Sequence, residues 1–181
     1  MCAGRIKELV ITAGGENVAP WPIEQGVLRA LPDLLSNALL VGDQRKFLSL
    51  LLTLKTDIDT DTLLPTNGLT AQTQLFLRTV LPALLTPIKT VDDFMNAPPA
   101  IRTQLDSILQ SAVDGVNERA ASRAQRVQYW KVLPRDFSVG GGELGPTLKL
   151  RRPIVLKQYK SLIDQLYLSA ETSGNGKGNG D

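Results

Sequence analysis

Three stretches of this chain carry residues whose types and spacing could do chemistry. Asp57, Asp59 and Asp61 alternate as the first ligands of a calcium loop do, and Arg119, Arg123 and Arg126 make a basic cluster able to hold a phosphate. Lys149 lies between a glycine run, Gly140 to Gly142, and the pair Arg151 and Arg152. Each stretch also has a plainer account. A calcium loop needs a glycine where Thr62 stands and a bidentate glutamate where Gly68 stands, so calcium is rejected in favour of a solvated loop. The arginines read first as a solvated helix end, with a phosphate contact as the alternative. Lys149, taken alone, is an exposed lysine in a basic stretch.

Composition narrows the chemistry further. The chain has 181 residues, an apolar fraction of 43%, a net charge of +2, no histidine and one cysteine, Cys2. Without histidine there is no Ser-His-Asp or Cys-His catalysis and no Cys/His zinc site, and no metal-ligand set is assigned. Acids and bases are mixed along the chain, so no nucleic-acid partner is expected. The single cysteine excludes a disulfide scaffold. With no secretory leader pattern or Asn-x-Ser/Thr acceptor, a reducing, cytoplasmic compartment is expected. The richest apolar stretch, Phe47 to Leu54, is too short to span a bilayer. Membrane association, at the endoplasmic reticulum or elsewhere, is expected to be peripheral.

The elements that must position these residues can be read from periodicity. Leu9 to Thr12 is β-prone, Ala13 to Asn17 contains the Gly14-Gly15 pair, and Val18 resumes an extended run, giving strand, turn and strand. Ile23, Val27, Leu28 and Leu31 fall at helical spacing between Pro22 and Pro32. Leu34 to Val41 and Phe47 to Lys55 read as a hairpin with one dry side. Helices are expected from Thr70 toward Leu85, ended or bent at Pro82, and from about Pro99 to Arg119, with Asp92 to Pro99 as a linker. A strand at Val127 to Leu133 and a last helix from Pro153 complete an α+β fold, a small mixed sheet with β-hairpins packed by helices.

Two motifs then carry a resemblance. Gly4-Arg5-Ile6-Lys7-Glu8, a short β run, Gly14-Gly15 with Val18, and Pro20 followed at the right spacing by Ile23-Glu24 resemble the hinge and hairpin that open the C-terminal domain of adenylate-forming acyl-CoA synthetases. Ile11 to Val18 is similar in wording to the bubblegum-type long-chain fatty acyl-CoA synthetases. Far downstream, Gly140 to Arg152 is similar to the segment of that family that carries the catalytic lysine. The resemblance implies a hinge segment at 1–8 and a mobile C-terminal domain at 9–168. Relative to smaller members it carries a helical insertion at about 56–99, and a disordered tail is expected at 169–181.

The resemblance also assigns roles. Lys149 matches the lysine that completes the adenylation site, where a compact movable cation approaches both the fatty acid carboxylate and the α-phosphate of ATP. Lys7 matches the hinge residue, and Arg5 an arginine that approaches the nucleotide phosphates. Gly14, Gly15, Glu16 and Val18 are candidates for the path of CoA, and the arginine cluster is a candidate for its nucleotide. Asn17 departs from acetyl-type members, which have an arginine there. Gly140 to Gly142 and Gly145-Pro146 are expected to let the lysine loop swing. ATP, CoA and Mg2+ are implied for the full-length enzyme, with the magnesium site in an N-terminal domain that this chain lacks.

The same comparison sets the expected limits. The nucleotide-binding loop and acyl tunnel of that family are missing, and no P-loop replaces them. The chain is therefore expected to be a piece of a long-chain fatty acid:CoA ligase and inactive alone. The alternative is a stand-alone, non-catalytic module that binds CoA or regulates a synthetase. A third reading keeps the adenylating chemistry and changes the acceptor, but the wording of both motifs leans against it.

Overall fold

A computed structural model describes residues 9–82 and 86–174, with side chains to Ala170. The chain forms two compact units, one ending at Phe137 and one beginning at Ser138. That division falls inside the stretch that the sequence assigns to one domain.

The first unit is built on a three-stranded sheet. Strand β3 (Leu35–Val41) pairs antiparallel with β4 (Leu48–Leu54), and β4 pairs parallel with β7 (Val127–Val132). The sheet is therefore mixed, as expected. A parallel neighbour needs a long crossover, and much of the chain between β4 and β7 supplies it. The one-sided hairpin expected from Leu48, Leu50, Leu52 and Leu54 is corrected: every residue of β4 is buried, Leu51, Ser49 and Thr53 on the second face included. Leucine at consecutive positions in β4 is what a central strand closed on both faces requires.

Helix α1 (Pro20–Ala30) lies against β3 and against the long α4 (Pro99–Asn117). Two prolines in its first turn supply the fixed φ that starts a helix, and the chain leaves the helix at Leu31, before Pro32. Glu24 is buried on its inner face, and its Oε1 accepts from the Leu40 amide at 2.6 Å. Leu40 lies on β3, the outer strand of the sheet order, so a helix side chain closes part of a sheet edge.

The segment at 56–99 is more than helical. It opens with a ribbon, β5 (Thr56–Ile58) against β6 (Pro65–Leu69), then continues as α2 (Ala71–Val80) and α3 (Val91–Met95). Helix α3 replaces the first part of the expected linker. Its signal is a capping box, in which the Thr90 hydroxyl accepts from the Asp93 amide while the Asp93 carboxylate accepts from the Thr90 amide. Leu69, Leu77, Leu81, Val91 and Phe94 join Leu50, Leu105 and Val113 in one core, so the segment is integral to the unit.

In the second unit, α5 (Arg152–Gln158) and α6 (Lys160–Gly174) replace the single final helix, with the break at Tyr159. Val155, Ile163, Tyr167 and Ala170 are their buried residues. The helix also runs through 170–174, so helical backbone occupies the start of the expected tail; 175–181 lie outside the described residues.

Candidate functional site

The hairpin tip is built from short-range hydrogen bonds. Strands β1 (Val10–Ile11) and β2 (Asn17–Val18) pair antiparallel, with Val10 opposite Val18. Within the tip, the Gly15 amide donates to the Thr12 carbonyl at 2.8 Å and the Thr12 amide to the Glu16 carbonyl at 3.0 Å. Gly15 takes φ +81°, a conformation that crowds any residue with a Cβ, so the sequence needs glycine there. Gly14, Gly15 and Asn17 are exposed, while Val18 is 3% exposed and belongs to the core.

Glu16 fixes the tip to a distant part of the chain. Its Oε2 accepts from the Ser122 hydroxyl at 2.8 Å, across the loop that follows α4. Asn117 secures the start of that loop: its side chain exchanges hydrogen bonds with the Val127 amide and carbonyl, at 2.8 and 2.9 Å. Arg119, Arg123 and Arg126 are all exposed on the loop. Beside them opens a cleft of about 230 Å³, walled by Val18, Ile23, Gly26, Val116, Arg119 and Gln125 among others. An apolar floor with a cationic rim suits a ligand that has an apolar arm and an anionic end.

Lys149 lies in the second unit, on a hairpin of its own. Leu144 and Leu150 bridge antiparallel; the Leu148 amide donates to the Gly145 carbonyl and the Gly145 amide to the Lys149 carbonyl, each at 2.8 Å. Lys149 is exposed. The glycine run before it is folded tightly. Glu143 is 6% exposed and its Oε2 accepts from the Ser138 amide at 3.3 Å, while a Cβ on Gly141 would crowd that oxygen. Gly141 thus leaves room for the close approach of a carboxylate, a different use from the freedom to swing that the sequence suggested.

Arg5 and Lys7 lie outside the described residues. The first unit places Gly14, Gly15 and Glu16 on one tip and Val18 in the wall of the cleft; Lys149 belongs to the second unit. Sequence reasoning missed Glu143, Ser122 and Leu148. The Asp57–Asp61 stretch behaves as a closed turn: Asp59 Oδ1 accepts from the amides of Asp61 and Thr62 and from the Thr62 hydroxyl, which hold its carboxyl below its usual pKa, the Thr62 amide foremost. Among the described residues, no three His, Cys, Asp or Glu side chains gather as a metal site, and no helix is long and apolar enough to cross a membrane.

Comparison with known proteins gives these features a context. Residues 7–69 match the AMP-binding enzyme C-terminal domain family. The chain is 50% identical over 169 residues to a long-chain-fatty-acid–CoA ligase, ACSBG2, of Gallus gallus, covering 93% of this chain and 21% of that protein. It is 47% identical over 164 residues to the long-chain-fatty-acid–CoA ligase ACSBG1 of Homo sapiens, covering 91% and 22%. The chain thus spans about a fifth of the length of these curated relatives. The resemblance to bubblegum-type synthetases read from the two motifs is borne out along most of the chain.

Among solved structures, the chain resembles the A-PCP didomain of a carboxylic acid reductase from Segniliparus rugosus in complex with AMP. The TM-score is 0.56 at 18% identity, covering 96% of this chain and 19% of that one. The adenylation domain of a carboxylate reductase from Mycobacterium chelonae gives the same TM-score at 19% identity, covering 91% and 20%. At that identity the likeness establishes the fold, a small mixed α+β domain.

Proposed function

We propose that this chain is the C-terminal part of a bubblegum-type long-chain fatty acid:CoA ligase. The enzyme joins a fatty acid carboxylate to ATP, giving acyl-adenylate and pyrophosphate, and CoA sulfur then displaces AMP. The observation that carries the proposal is the 50% identity over 93% of the chain to a protein named for that activity. The stand-alone CoA-binding module is not favoured, because the similar curated proteins are ligases.

In this reading Lys149 is the adenylation lysine. Exposed at the end of a bonded hairpin, its ammonium can enter a site supplied by the rest of the enzyme and stabilise the charge that develops between carboxylate and α-phosphate. Gly14 and Gly15, bare of Cβ at an exposed tip, leave room for the pantetheine arm, and Glu16 holds the tip in place through Ser122. Val18 contributes as cleft wall. Arg119 at the cleft rim suits the CoA nucleotide, and Arg5 and Lys7 keep the phosphate and hinge roles that the resemblance gives them. The Mg2+ that the resemblance implies is assigned by that resemblance to the remainder of the enzyme. That assembled protein acts in the cytoplasm, peripheral to the membranes that hold its fatty acid.

The test is Lys149→Ala in the whole synthetase that carries this chain. Adenylation, read as fatty-acid-dependent pyrophosphate exchange, is expected to fall at least a hundredfold, on the scale set by losing one preorganised electrostatic contact. Thioester formation from supplied acyl-adenylate is expected to change far less. Equal loss of both half-reactions would mean that the residue is structural.

A further inference from the structure

Next to Lys149 stands a residue that two physical preferences oppose. Leu148 takes φ +59° and its side chain is 71% exposed. The hairpin imposes the first feature. The bond from the Leu148 amide to the Gly145 carbonyl closes a turn over Pro146 and Thr147. The bond from the Gly145 amide to the Lys149 carbonyl then requires a left-handed residue at 148. That bulge position suits glycine, because a Cβ crowds the backbone in the left-handed region. A leucine there carries backbone strain and, in addition, holds a large apolar side chain in water.

The two backbone bonds hold Leu148 in this conformation, but the neighbouring residues Pro146, Thr147 and Lys149 are exposed as well and give its side chain no cover. Leu63, at the end of the β5–β6 ribbon, shares the conformation and is 66% exposed, but no candidate catalytic residue adjoins it. Strain held beside a reacting group points to use at that group. The bulge fixes how residues 148 and 149 leave the hairpin relative to each other, since both are anchored by the same pair of backbone bonds. A contact made by the leucine therefore sets the placement of the lysine.

We propose that Leu148 is a positioning residue for Lys149, its side chain leaving water against an apolar wall of the synthetase outside this chain in the arrangement in which Lys149 promotes adenylation. The proposal rests on the adenylation role of Lys149. The apolar contact exists only in that arrangement, so it favours the first half-reaction and not the second.

The experiment uses the whole synthetase with Leu148→Gly, Leu148→Met and, as the control, Lys149→Ala. Glycine relieves the left-handed strain and removes the apolar side chain, so the fold is spared while the contact is lost. The expected result is a tenfold or greater fall in pyrophosphate exchange for Leu148→Gly with thioester formation from supplied acyl-adenylate within twofold of the parent. Leu148→Met, which keeps apolar bulk, is expected to recover most of the exchange. Full exchange in Leu148→Gly, or an equal fall in both half-reactions, would overturn the positioning role while a sensitive Lys149→Ala control leaves the ligase reading intact. Exchange that is untouched in Lys149→Ala would overturn the role of the lysine itself, and this inference with it.

Discussion

Removing the carboxylate of Asp136 should loosen the end of the sheet just before the chain leaves the first unit. Its Oδ1 accepts from the hydroxyls of Ser36 and Thr53, each at 2.6 Å, from Asn37 Nδ2 at 2.9 Å and from the Phe137 amide at 2.7 Å. Ser36 is the extra residue of a bulge in β3, where the register slips between Leu35 and Asn37, and this brings its hydroxyl into the cluster. Ser36 has a single hydroxyl proton, and the short bond to the carboxylate claims it ahead of the carbonyls of Thr53 and Leu54, at 3.3 and 3.2 Å. Hydrogen bonds to a charged acceptor are worth about 1.5–3 kcal/mol each, and water can replace those at the half-exposed Ser36 and Asn37. Thr53 has no exposure and keeps the Ser36 Oγ, 2.8 Å away, as a neighbouring hydroxyl. Asp136→Ala is therefore expected to cost about 2–3 kcal/mol. Asp136→Asn, which retains an amide oxygen, should cost about 1 kcal/mol. Urea unfolding followed by tryptophan fluorescence and circular dichroism measures both. A double-mutant cycle with Ser36→Ala should show coupling of about 1 kcal/mol. An Asp136→Ala protein within about 0.5 kcal/mol of the parent would refute the reasoning, because that is the scatter of ordinary surface changes.

Changes at three further residues test the fold. Glu24→Ala leaves the buried Leu40 amide without this acceptor and should cost about 2–3 kcal/mol, with Glu24→Gln closer to the parent; denaturation gives the cost and hydrogen exchange at Leu40 locates it. Thr90→Ala removes half of the α3 capping box and should cost about 1 kcal/mol by the same denaturation. The Asp93 carboxyl is held below its usual pKa, chiefly by the Lys89 amide and then by Thr90. Its folded pKa is lowered, so its contribution is complete above the unfolded carboxylate range and is lost as pH falls through the folded value. The stability gap between parent and Asp93→Asn should accordingly close in acid, and a carboxyl titration by NMR should find Asp93 depressed; an ordinary pKa there would contradict the capping geometry.

How much of this was legible in the sequence depends on which interaction decides each element. Helices α1, α2 and α4 are governed by apolar periodicity against a core, and Ile23 to Leu31, Leu77 to Leu81 and Leu105 to Val116 display it. Helix α3 is too short to show a stripe, and its evidence is the Thr90–Asp93 pair, which a search for caps would have found inside the linker. The double-sided burial of β4 is visible as consecutive leucines, which outweigh the alternation at every second position. At the site, Gly14-Gly15 is a local turn signal and transferred directly. Leu148 could not be read: its conformation comes from the hairpin closing around it, against the preference of the residue. Val18 follows the glycines in sequence, but its pairing with Val10, which places it in the core as well as in the cleft wall, depends on a strand register that sequence alone leaves open.

The folding of residues 138–151 bears on how the proposed two-step chemistry can run. Under the proposed function Lys149 serves adenylation and the tip at Gly14 and Gly15 serves the thiol that follows, so one group would have to replace the other. A swinging glycine loop would accomplish this locally. The segment is instead tied at both ends and in the middle: the Leu144 amide donates to the Ser138 carbonyl at 3.0 Å, the Arg151 amide to the Glu143 carbonyl at 2.7 Å, and the Gly141 amide to the Ser138 hydroxyl at 2.8 Å. Moving Lys149 alone would break several of these at once and would displace the buried Glu143 carboxylate that Gly141 admits. Turning a larger body about a few residues breaks none of them. Within the proposed function, the bonded hairpin is thus easier to reconcile with rotation of a larger body than with a local swing of the lysine loop. On that account the glycines of 140–142 keep Lys149 at a fixed place on its unit, and the precision of its arrival depends on what the hairpin tip meets.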